Sequence, residues 1–84
     1  MAINQLLAAQ LDELGKSLER LGERLCADPA VINAHIGALQ EIDRIAQMQF
    51  AISTIITAED PREACLTSPL ERVRKLAQIE ALAA

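Results

Sequence analysis

A chain of 84 residues makes one domain at most, near the lower size limit for a self-sufficient core. Apolar residues form 51% of it, but alanine is the commonest of them and Phe50 is the only aromatic, so bulky core material is short. A formal charge of −4 is the wrong sign for a phosphate-binding surface, and only three glycines and three prolines argue against a disordered chain.

Strong helix formers (Ala, Leu, Glu, Gln and Arg) dominate, which points to an all-α fold. The prolines mark where helices start. Each follows a capping residue, as Asp28-Pro29, Asp60-Pro61 and Ser68-Pro69, and proline at the first helical position gives up an N–H that would have no partner there. Asp60-Pro61-Arg62-Glu63 and Ser68-Pro69-Leu70-Glu71 also read as capping boxes.

The first helix is expected over about residues 3–27. Leu7, Leu11, Leu14, Leu18, Leu21 and Leu25 recur in steps of four and three, a heptad seam that needs a neighbouring helix. Ala8, Gly15 and Gly22 each follow a seam leucine and lie seven apart. Glycine inside a helix costs about 1 kcal/mol relative to alanine, so this line reads as a close-packing groove for a second helix beside the seam. On the outward side, Asp12 with Lys16 and Arg20 with Glu23 have the spacing of helical ion pairs.

The second helix is expected over about residues 29–58. Ile32, Ile36, Leu39, Ile42 and Ala46 form one stripe, and the later half is apolar over most of its circumference. A hairpin partner covers only one stripe. Ile45, Met48, Ile52, Ile55 and Ile56 are therefore the expected interface with another chain. A short helical turn at 61–66 and a last helix over about 69–83 complete an antiparallel hairpin with a C-terminal helix. The whole is one helical domain, with its bundle completed by dimerisation or by a partner.

Chemistry is sparse. His35 is the only histidine, lies beside the apolar stripe of the second helix and reads as a partly buried structural residue. No nucleophile–base pair, Gly-x-Gly loop or metal-ligand spacing is present, so no catalytic residue, cofactor or metal is expected. Cys26 and Cys65 are separated by the whole second helix, roughly 40 Å at 1.5 Å per residue, and are expected as buried or half-buried free thiols. No run reaches the eighteen or so apolar residues of a membrane span and no secretory signal is visible, so a cytoplasmic location is expected.

Ala81-Leu82-Ala83-Ala84 resembles the end of the bacterial transfer-messenger-RNA tag that Clp-type proteases recognise, a resemblance that implies a short-lived regulator. The expected function is a non-enzymatic helical protein-interaction module, an adaptor or regulator, that self-associates. The alternative is a small acidic chaperone or co-chaperone of the bacterial secretion type, by analogy of class. A nucleic-acid-associated regulator using Arg62, Arg72, Arg74 and Lys75 ranks behind both.

Overall fold

The computed structural model describes residues 2–83. Four helices follow one another: α1 (Ile3–Cys26), α2 (Pro29–Ile56), α3 (Pro61–Leu66) and α4 (Glu71–Ala83). The first two form a helical hairpin, α3 packs on α2, and α4 packs on α3. The all-α architecture and its long hairpin are as the residue pattern indicates. Ala81–Ala83 continue α4, and Ala84, the last residue of the tag-like stretch, lies outside the described residues.

Two of the proline-marked starts behave as expected. Asp28 Oδ1 accepts the Ala30 N–H at 2.9 Å, and Asp60 Oδ1 accepts the Glu63 N–H at 3.1 Å. These bonds satisfy amides that the first helical turn leaves open. The third start is displaced. Ser68 Oγ accepts the Leu70 N–H at 3.2 Å, and the Ser68 carbonyl accepts Arg74 Nη1 at 2.7 Å. With the Ser68 carbonyl taken by Arg74, residues 68–70 stay outside the helix, and the Leu70 carbonyl receives the Val73 and Arg74 N–H groups that open α4. The last helix thus begins at Glu71 and not at Pro69.

Nor is the second helix regular throughout. His35 has φ −134° and ψ 30°, a kink inside α2, and its side chain is exposed, not partly buried. Gly37 lies two residues beyond, where a Cβ would meet nothing within 4 Å. With no side chain packed there, little holds the helix straight. On α1 the pairing also differs from expectation. Lys16 bonds Glu13 at 3.7 Å and not Asp12, and Arg20 donates to Ser17 Oγ at 3.1 Å and not to Glu23. The groups that do pair are exposed and Asp12 is half-buried, so the exchange is worth only a few tenths of a kcal/mol.

The core is small. Among the described residues the buried apolar ones are Ala8, Leu39, Ala46, Val73 and Ala77, and of these Val73, 0% exposed, is the largest side chain fully enclosed. The shape is correspondingly open, with extents of 48 × 32 × 18 Å and a radius of gyration of 15.4 Å. A compact chain of this length has a radius near about 12 Å. Its accessible surface is 6097 Å². A folded monomer of this mass exposes about 4,900 Å², so roughly 1,200 Å² is in excess.

Candidate interaction surface

The hairpin closes across small residues. Ser53 Oγ, buried, donates to the Ala8 carbonyl at 3.1 Å and ties the two helices near their free ends. One heptad along α1, Gly15 is buried, and a Cβ there would lie 2.8 Å from Phe50 Cε1 and Cζ. Gly22 is looser, with Ile42 Cγ2 3.6 Å from the same construction. The Ala8–Gly15–Gly22 line therefore meets α2, but through side chains: the ring of Phe50 fills the space over Gly15, where the sequence suggested a passing backbone.

That arrangement changes the role of the leucine seam. Leu11, Leu18 and Leu25 are half-buried, whereas Leu7, Leu14 and Leu21 are 50%, 53% and 44% exposed. The seam was expected to carry the contact with a neighbouring helix. Within the chain only one of its two rows is engaged, because α2 sits over the flanking small residues and leaves the other row open.

Position round each helix shows what the open row belongs to. Each exposed leucine precedes a contact residue of α1 (Ala8, Gly15, Gly22) by one step, about 100°. On α2, Ile45 and Ile52 likewise precede the buried contact residues Ala46 and Ser53 by one step. Two antiparallel helices are related by a local two-fold axis that stands on the face of the hairpin. Equal offsets of the same sense therefore emerge on the same face. Leu7, Leu14, Leu21, Ile45 and Ile52 thus form one apolar face.

Residues one step after the contacts come out on the other side, and apart from Ala9 they are polar: Lys16 and Glu23 on α1, Gln47 and Thr54 on α2. A groove on that side is lined by Gly22, Glu23, Ile42 and Asp43 together, as the same construction requires. The hairpin is amphipathic as a unit.

Of the five residues expected at an interface, Ile45 is 43% exposed and lies on the apolar face. Met48, Ile52, Ile55 and Ile56 are half-buried within the chain. Intramolecular cover accounts for part of this: α3 packs on α2, and Pro69 and Leu70 line a cleft with Met48. The exposed leucine row of α1 was not among those five. Its signal was available, since a line of small residues beside a leucine seam competes with the seam for the neighbouring helix.

Other chemistry is limited. Both thiols are free, Cys26 exposed and Cys65 half-buried. No group of three or more His, Cys, Asp or Glu side chains is placed to hold a metal among the described residues. Arg62 pairs with Glu80 at 3.4 Å, Lys75 pairs with Glu71 at 3.4 Å, and Arg74 is engaged at Ser68. Among the described residues no helix is long and apolar enough to cross a membrane. Comparison with protein-family models, with curated proteins and with solved structures gives no match.

Proposed function

We propose that this chain is a non-enzymatic helical interaction module that completes its core by self-association. The observation that carries this reading is the disproportion between core and surface. A chain whose enclosed apolar residues are mostly alanine leaves a continuous row of leucines open. Half-buried side chains such as Leu11, Leu18, Phe50 and Ile55 add to the five enclosed ones, and a second copy covering the open row would add further apolar burial. Exposed apolar surface of this extent marks association sites.

The setting that suits the module is the reducing cytoplasm, where an exposed thiol such as Cys26 stays free. Nucleic acid is disfavoured as a partner because three of the four C-terminal basic groups already have partners in the fold. Sedimentation equilibrium with urea melts at several protein concentrations tests the proposal. The expected result is a folded oligomer whose unfolding midpoint rises with concentration. A well-folded monomer at micromolar concentration, with a midpoint independent of concentration, would refute self-association.

A further inference from the structure

We infer that the apolar face of the hairpin is covered by a second copy of the chain set antiparallel, α1 against α1 of its twin, about a two-fold axis near Leu14. This inference rests on the self-association reading and adds to it the surface, the occupant and the orientation.

Two observations support it. The first is area. The excess surface of roughly 1,200 Å² belongs to the chain as a whole, and it leaves room for one face to supply the 800 Å² or so that each partner contributes to a standard stable interface. Four of the exposed large apolar residues, Leu7, Leu14, Leu21 and Ile45, lie on this face.

The second is self-complementarity. Leu14 is at the middle of α1, with Leu7 and Leu21 one heptad to either side. A two-fold axis at Leu14 packs Leu14 on its twin and Leu7 on Leu21 of the other copy, the knobs-into-holes meeting of a leucine row with itself. The contacts of Gly15 with Phe50 and of Ala8 with Ser53 set the level of α2 beside that point. Ile45 and Ile52 then flank the axis and pack on Ile52 and Ile45 of the twin. The contacting rows carry no charge, and both pairs of facing helices run antiparallel, so their dipoles oppose.

Disulfide trapping tests the inference in a Cys26→Ser, Cys65→Ser background, with light scattering run on the same samples. A disulfide needs Cα atoms within about 7 Å, so only facing positions trap efficiently. Leu14→Cys is expected to oxidise to a covalent dimer at least tenfold faster than Lys16→Cys on the polar face. Leu7→Cys chains are expected to trap Leu21→Cys chains in preference to their own kind. A dimer in solution that traps Leu14→Cys only with Ile52→Cys chains, or no faster than Lys16→Cys, overturns the orientation and face while self-association stands. A monomer in light scattering overturns both. Should Leu14→Cys lose its helical circular dichroism, the Leu7→Cys and Leu21→Cys mixture decides alone.

Discussion

The two halves of the hairpin are built differently. Toward its free ends, Ala8 and Gly15 of α1 and Ala46 and Ser53 of α2 are all buried, with a cross-helix hydrogen bond and an aromatic ring seated on a glycine. Toward the turn, Leu39 is the only buried residue, Gly22 has room to spare, and α2 kinks at His35. The amino-acid types are similar in both halves. What differs is whether a small residue on one helix meets a large one on the other. Phe50 over Gly15 is such a match, while Gly22 beside Ile42 leaves a groove.

The largest expected effect tests the tight half. In Gly15→Leu the side chain must enter the space of the Phe50 ring, so overpacking should outweigh the gain in helix propensity. A net loss of about 1–3 kcal/mol is expected in urea melts at one fixed protein concentration. In a Phe50→Ala background the same substitution should fill the vacated space and turn neutral or stabilising. That coupling is the diagnostic part, because only residues in contact show it. Equal penalties with and without Phe50 would mean that the glycine is guarding something else.

This contrast also marks how far the fold could be read from the residues. Asp28-Pro29 and Asp60-Pro61 gave the starts of α2 and α3 because local capping geometry decides them. Ser68-Pro69 did not give the start of α4, because a residue six positions on, Arg74, takes the Ser68 carbonyl. The heptads identified α1 as a helix with a seam, yet with leucine in both rows nothing in the spacing said which row α2 would use. Gly15 held that information, and it became decisive only with Phe50 placed opposite. Likewise, periodicity alone cannot tell whether Met48 and Ile55 are covered by another chain or by this one. The cover sits beyond the kink-free half of α2 and arrives from residues 61–83.

A smaller effect belongs to Ser53. Its hydroxyl reaches the Ala8 carbonyl in a buried setting, and its loss leaves that carbonyl its bond within α1 but removes the cross-link. Ser53→Ala should cost about 0.5–1 kcal/mol, the worth of a net hydrogen bond less the propensity gained by alanine. A variant more stable than wild type would show that the hydroxyl is tolerated at the close approach and does not hold it.

The smallest effects, and opposite in sign, are expected in the loose half. A methyl at Gly22 would stand 3.6 Å from Ile42 Cγ2, ordinary contact distance, and one at Gly37 would stand in open space. Neither has to displace anything, so Gly22→Ala and Gly37→Ala should both stabilise through the backbone entropy that glycine loses on folding, by up to about 1 kcal/mol. Gly22→Ala should gain the more of the two, since its methyl also adds apolar contact with Ile42. Gly37 lies within two residues of the kink at His35, where the helix is least regular, and alanine should recover less there. Sign is what matters in this pair. Gly22 and Gly15 share one line on α1 and look alike in sequence, so a loss of stability in Gly22→Ala would mean that the turn half closes as tightly as the free-end half. A gain at Gly22 beside a loss in Gly15→Leu, measured under one set of conditions, places the close approach at the Phe50 level, the level of the proposed two-fold axis.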